Sequence, residues 1–372
     1  MRRIHLTAAI CIAACSMSLV ACGGSEAPET TAATEAATEA AAEETSAEEE
    51  TAEAAEESTA EETSEAAAEG TAELRIGQAY GAAHGNKCFT VATAVIDGDD
   101  TIVAAYIDEF QFFDEGQTGV PNSGSFIEKG YVAEGRVLGS KRANNAYYSE
   151  NMAKAGATME LAANFDGLQA FAAGKTISEL EELAGKPAEE VVDAVSSATL
   201  ADTAGYIGVI VDAAKAAEET PAVSYDGDLA DLSLNMAVTV THGEDSFALA
   251  AVYGDGNEIV LSYLDEFQFF DADQTGVPNS EAFAEAGDIS ADYVLGSKRV
   301  NDAFYSANMA KAGATMNIAA NYDGIQAYVD GKTVAELEEL LGGSDEEVID
   351  AVSSATLTAM PGYISAVLEA AK

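Results

Sequence analysis

The second half of this chain repeats the first, and any fold must satisfy both halves with the same residues. Asp108-Glu-Phe-Gln-Phe-Phe-Asp114 returns as Asp265-Glu-Phe-Gln-Phe-Phe-Asp271, 157 residues later. At the same spacing Gln117-Thr-Gly-Val-Pro-Asn-Ser123 returns as Gln274 to Ser280, and Leu138-Gly-Ser-Lys-Arg142 as Leu295 to Arg299. Asn151-Met-Ala-Lys-Ala-Gly-Ala-Thr158 returns as Asn308 to Thr315, and Asp193-Ala-Val-Ser-Ser-Ala-Thr-Leu200 as Asp350 to Leu357. The spacing is 158 at His84 and His242, which places a one-residue deletion in the turn near Gly98 and Gly256. Each repeat has the length of one ordinary domain. The reading is two tandem copies at residues 74–220 and 221–372, with the junction in residues 218–225.

Within a copy, strands precede helices. Residues 89–96 and 101–107 are apolar and β-branched, and Asp97-Gly98-Asp99-Asp100 between them reads as a hairpin. Residues 247–253 and 258–263 form the counterpart. Residues 144–155 read as a helix stopped by Gly156. Thr176 with Glu179, and Thr333 with Glu336, are capping boxes that open short helices ending at Gly185 and Gly342. Pro187 opens the next helix in one half, and Ser344 with Glu347 opens it in the other. Last helices span residues 205–217 and 362–371. The expected fold is α+β, each copy an antiparallel sheet packed by helices.

The N-terminal region is of another kind. Arg2 and Arg3 precede an apolar run from Ile4 to Val20, shorter than the roughly 20 residues a membrane span needs and without a basic flank after it. This is the layout of an export signal, residues 1–21. Leu19-Val20-Ala21-Cys22 resembles the processing site of bacterial lipoproteins, and that resemblance implies acylation of Cys22. Residues 22–73 then collapse to Ala, Glu, Thr and Ser, with no Lys or Arg between Arg3 and Arg75. Without an apolar stripe this segment reads as a solvated, self-repelling stalk, its ends roughly 40 Å apart or more. The expected location is the outer face of the cytoplasmic membrane of a Gram-positive cell, held there by lipid. A net charge of −48 argues against nucleic acid as a partner.

Several chemistries lack their residues. Outside the leader, histidine occurs only as His84 and His242, and Cys88 is the one thiol besides Cys22, so a cysteine metal site or a His-assisted triad cannot be assembled. What stands out is Asp193-x-x-Ser196-Ser197-Ala198-Thr199 with its repeat Asp350-x-x-Ser353-Ser354-Ala355-Thr356, a small polar turn between two helices. These segments resemble the D-x-x-S/T-G-A-T site of the FMN-binding domain family, where a flavin transferase joins FMN through its phosphate to the Thr hydroxyl. That family includes subunits of sodium-pumping NADH:quinone and Rnf-type oxidoreductases, and PplA-like lipoproteins of Gram-positive extracellular electron transfer. The layout of anchor, stalk and twin domains is similar to the last group over the whole chain, while the motif likeness covers only seven residues per copy. The resemblance implies covalent FMN on Thr199 and Thr356, two per chain, with Asp193 and Asp350 in the transferase's recognition signal. It implies a membrane dehydrogenase or quinone-linked electron donor and an extracellular acceptor. Ser197 and Ser354 stand where the family has Gly, a difference that matters if the turn requires a positive φ.

Gly139-Ser-Lys141-Arg142 and Gly296-Ser-Lys298-Arg299 stand at apparent helix starts and offer paired cations as phosphate contacts, or as surface ion pairs behind a Ser140 cap. Phe110, Phe112, Phe113, Tyr147 and Tyr148, with Phe267, Phe269, Phe270, Phe304 and Tyr305, offer rings for stacking on flavin or for a core. Two functions fit: an electron carrier with no substrate pocket of its own, or a flavin-free lipoprotein binding a solute or cell-wall polymer.

Overall fold

The structure, a computed structural model, describes residues 71–372. The export signal, Cys22 and nearly all of the stalk lie outside the described residues. The first half runs β1 (Ala72–Gly81), β2 (Cys88–Ile96), β3 (Ile102–Asp114), α1 (Ser123–Glu128), β4 (Arg136–Ser140), α2 (Asn145–Lys154), α3 (Leu161–Ala172), α4 (Ile177–Ala184), α5 (Ala188–Ala194) and α6 (Thr203–Glu218). After β5 (Val223–Tyr225) come β6 (Ser233–Thr239), β7 (Ser246–Gly254), β8 (Glu258–Asp271), α7 (Ser280–Glu285), β9 (Tyr293–Ser297), α8 (Asp302–Lys311) and α9 (Ile318–Val329). The two-residue β10 (Lys332–Thr333), α10 (Val334–Leu341), α11 (Asp345–Ala351) and α12 (Met360–Ala370) complete the chain. It is an α+β protein with two antiparallel sheets, ordered β4-β3-β2-β1-β5 and β10-β8-β7-β6, with β9 pairing β8 further along the edge that β10 occupies. Among the described residues no helix is long and apolar enough to cross a membrane.

Every residue of β2 and of β7 is buried. Side chains alternate between the two faces of a strand, so both sheet faces must be covered. On one face Ala92, Ala94 and Ile96 meet Phe165, Leu168, Ile207 and Ile210 of the helices, and the second half builds the matching core around Ala250, Val252, Tyr322 and Ile364. On the other face Phe89 and Val91 meet Phe247 and Leu249 of the opposite sheet. The order of layers is therefore helices, sheet, sheet, helices. At the seam Phe89 stacks on Phe110 at 5.3 Å and Phe247 on Phe267 at 5.3 Å, and the two pairs face each other at 6.2 and 6.3 Å. Phe112 and Phe269 are buried there too, and Phe113 and Phe270 are buried elsewhere, so six of the rings considered for flavin stacking (Phe110, Phe112, Phe113, Phe267, Phe269 and Phe270) are core, whereas Tyr147 and Phe304 are exposed.

Equivalent residues tie the seam reciprocally. Asn122 donates its side-chain N–H to Ser246 O at 2.7 Å, and Asn279 donates to Cys88 O at 2.6 Å. Both asparagines have φ near +67°, a left-handed conformation that Asn adopts more readily than most residues. Ala133 N–H donates to Asp288 O and Ser290 N–H to Tyr131 O, both across the seam.

The hairpins, capping boxes and last helices stand where the sequence places them, and the capping boxes of α4, α10 and α11 are complete. Three expectations need correction. The folded region begins at Ala72 rather than at 74, because β1 is a full strand. The cut at 220/221 divides a sheet, since β5 pairs with β1 (Leu74 opposite Val223). Finally, Gly139 and Ser140 end a strand rather than open a helix. Gly139 is required there because an added Cβ would lie 2.5 Å from Thr118 O. Ser140 Oγ accepts Ala143 N–H at 3.0 Å in the turn that follows, and α2 starts only at Asn145.

Candidate functional site

The two Ser-Ser-Ala-Thr segments occupy the same place in each half. Helix α5 ends at Ala194 and α6 begins at Thr203, and α11 and α12 flank the second segment likewise. Val195 and Ala198 are buried, as are Val352 and Ala355, and these small anchors hold the connection down. Ser196, Ser197 and Thr199 are left exposed, with Ser353, Ser354 and Thr356 opposite. Asp193 and Asp350 are exposed on the last turns of α5 and α11.

Each threonine is held by an asparagine absent from the motif. Asn164 of α3 is fully buried, and its Oδ1 accepts both Thr199 N–H at 2.7 Å and Thr199 Oγ1–H at 3.2 Å. Its amide N–H groups are committed to Glu160 O at 2.9 Å and Met159 O at 3.4 Å, so the side chain cannot turn away. Asn321 of α9 does the same for Thr356, at 2.6 and 3.2 Å. A second tie runs from Ser197 Oγ to Gly167 O at 2.8 Å, and from Ser354 Oγ to Gly324 O at 2.7 Å. These glycines are needed because the loop lies directly on them: a Cβ on Gly167 would stand 2.0 Å from Ser197 O, and one on Gly324 2.1 Å from Ser354 O. Asn164, Gly167, Asn321 and Gly324 escaped the sequence reading, although the repeated Ala-Ala-Asn-Phe/Tyr-Asp-Gly segment carried them.

The Gly-to-Ser difference in the motif costs the backbone nothing. Among the described residues the non-glycine positions with positive φ are Asp100, Asn122 and Asn279, so Ser197 and Ser354 adopt ordinary conformations. Their hydroxyls add the tie to α3 or α9.

The four cations go elsewhere. Lys141 and Lys298 are 1% exposed and paired with the fully buried Glu109 and Glu266. Inside the protein, with their charges balanced, they cannot offer an ammonium to an external phosphate in this conformation. Glu109 also accepts from Thr90 Oγ1 at 3.1 Å and Tyr206 OH at 3.0 Å. Glu266 accepts from Ser246 at 2.6 Å and Tyr363 at 2.7 Å, and although burial pushes its pKa up, Lys298 and His242 hold it well below the usual range. Arg142 and Arg299 clamp the helices that carry the asparagines. Arg142 donates to Ile107 O at 2.6 Å and Asp166 at 2.8 Å, with its guanidinium over Phe165. Arg299 repeats this with Leu264 O, Asp323 and Tyr322. They position α3 and α9, and only through those helices the loops.

No protein-family model matches the chain, and no curated protein or solved structure resembles it significantly.

Proposed function

We propose that this protein is an extracytoplasmic electron carrier, built from two copies of one domain, with FMN esterified through its phosphate to Thr199 and to Thr356. One observation carries the reading: in each half the motif threonine is exposed on a loop that is otherwise locked, its amide and hydroxyl hydrogens both directed at one buried carbonyl oxygen. That geometry fits a modification acceptor. The hydroxyl hydrogen points inward at Asn164 or Asn321, and the oxygen lone pairs remain free to attack the phosphorus of a flavin nucleotide presented by a transferase, the P–O bond to the donor's leaving phosphate breaking as the Thr O–P bond forms. The Thr N–H bond survives esterification, so the loop keeps its anchor once the hydroxyl proton is gone.

Bound this way, the flavin ring supplies reversible electron acceptance that no side chain of this protein offers. The protein's contribution is attachment and orientation. A covalent link suits a carrier outside the cell, where a dissociated cofactor is lost. Lipid on Cys22 and the acidic stalk of residues 22–73 would hold the two domains near a membrane dehydrogenase or quinone-linked donor and let them reach an extracellular acceptor.

The test is intact-mass measurement of protein purified from its native host. Two FMN additions are expected, one lost in Thr199→Ala, one in Thr356→Ala and both in the double variant, with in-gel flavin fluorescence following the same pattern. Unmodified peptides at both threonines would overturn the flavin assignment and leave the flavin-free binding lipoprotein.

A further inference from the structure

The two halves differ sharply at one buried carboxylate. Asp265 is 1% exposed and accepts four hydrogen bonds: Glu266 N–H at 2.7 Å, Arg299 N–H at 3.2 Å, the Ser297 hydroxyl, and the Tyr80 hydroxyl at 2.5 Å from across the seam. Tyr80 also contacts Gln78 Oε1 at 2.8 Å, and its ring lies edge-on to Phe267 at 5.2 Å. Asp108, 2% exposed, is the equivalent residue of the first half. It keeps the first three bonds, from Glu109 N–H at 2.6 Å, Arg142 N–H at 3.2 Å and the Ser140 hydroxyl. The fourth donor is replaced. Tyr80 pairs with Val91 in the sheet, and the residue in the same register of the other sheet is Val238, opposite Leu249. Met236 likewise takes the place of Gln78.

Both halves have a cleft at this place, and the consequence is that one of them reaches the carboxylate. Beside Asp108 the surface opens to about 280 Å³, lined by Tyr106, Arg142, Pro121, Met236 and Val238 as well as the carboxylate. In the other half the cleft at the corresponding place is bordered by Tyr80 itself, together with Val277, Pro278 and Ser297, and stops short of Asp265 and Arg299. The two clefts have nearly equal volumes, about 280 and 290 Å³; Tyr80 borders the second, and only the first reaches its carboxylate.

We propose that the cleft over Asp108 binds a phenol-type ring, whose hydroxyl donates to the carboxylate as Tyr80 donates to Asp265. The carboxylate has lone-pair capacity left beyond its three bonds. The wall facing it is apolar, which suits the ring, and the Tyr106 face, with Arg142 stacked over it at 4.8 Å, adds an aromatic side. The volume, about 280 Å³, lies just below the roughly 300–1,000 Å³ typical of small-molecule sites, so one or two rings fit and a dinucleotide does not. Phenols and hydroquinones share this recognition chemistry. None of its lining residues belongs to the Thr199 or Thr356 loop, and the proposal does not depend on the flavin reading.

The experiment titrates the folded protein with phenol and with anisole, which lacks the donor, following heat and amide NMR shifts. One phenol per chain is expected, saturating in the millimolar range, with anisole at least ~10-fold weaker because the buried acceptor is left unpaired. Val238→Tyr, which supplies the tyrosine that Asp108 lacks, should abolish binding while the fold is kept. Tyr80→Val should extend the second cleft to Asp265 and raise the stoichiometry to two. Hydroquinone in place of phenol should compete for the same site. Absence of saturable binding to the unmodified chain, equal binding of anisole, or phenol binding that survives Val238→Tyr in a folded protein would each overturn the proposal. If Tyr80→Val fails to fold, the Val238→Tyr comparison still decides it.

Discussion

Asp330 shows how a single residue can set the pH response of this protein. At the C-terminal end of α9 it accepts from Ser262 Oγ at 2.6 Å, and burial pushes its pKa up to about 8 against the pull of the Ser262 hydrogen bonds. The first half has Ala173 and Ala105 at the matching places, so nothing there compensates. The folded pKa lies above the unfolded value near 4, so the folded chain holds a proton the unfolded chain releases. The stability this confers is complete below about pH 4 and is lost as the pH rises toward 8. Asp330→Asn should leave stability at pH 4 nearly unchanged and raise it at pH 8 by about 1 kcal/mol or more. Urea titrations of both proteins at several pH values check this, and parallel curves for variant and parent would count against it. Cys88 needs no such watch: its thiol, pushed up to about 12 by burial and by Glu109, is chemically quiet.

Among the elements, α3 and α9 connect fold to site. Gly167→Ala would drive a methyl group into Ser197 O and force α3 away from the loop, at a cost on the order of 1–3 kcal/mol. Under the flavin reading, Gly167→Ala and Asn164→Ala should lower labelling at Thr199 several-fold and leave Thr356 untouched. Peptide mass spectrometry of the two sites reads this out, and equal loss at both would refute a local latch. The same helix explains where reading the sequence fell short. Hairpins and capping boxes were legible because their signals are local: Asp97-Gly98 for the turn, Thr176 with Glu179 for the cap. Helix α3 was not, since Asn164, Asp166 and Gly167 are poor helix formers that normally mark a loop. Here they are kept by demands of tertiary contact, the asparagine by Thr199 and the glycine by Ser197. Strand β1 hid for a related reason: Gly77 interrupts it because an added Cβ would meet Ala217 N of α6 at 2.3 Å. Of the site, the threonines were visible as a repeated motif, but the buried fate of Lys141 and Lys298 was not. A Lys near a helix looks like any surface cation until its Glu109 or Glu266 partner arrives from another strand.

At the scale of the whole molecule, the seam decides what can stand alone. A chain of residues 71–226 would expose the face formed by Phe89, Val91, Phe110 and Phe112, which is buried in the full protein. That face is nearly self-complementary, because Asn122, Cys88, Tyr80 and Asp108 include the donors and acceptors the second half supplies across the seam. The isolated first half should therefore form a two-fold dimer, with Tyr80 of each copy reaching Asp108 of the other. Sedimentation at micromolar concentration tests this, and a well-folded monomer would rule it out. During synthesis the same geometry sets a race. The first half emerges with its aromatic face bare and could pair with its twin on a neighbouring chain. The short peptide near residue 220 keeps the correct mate at a local concentration about millimolar, far above that of any stranger, so covalent linkage of the two halves acts as the protein's own safeguard against mispairing.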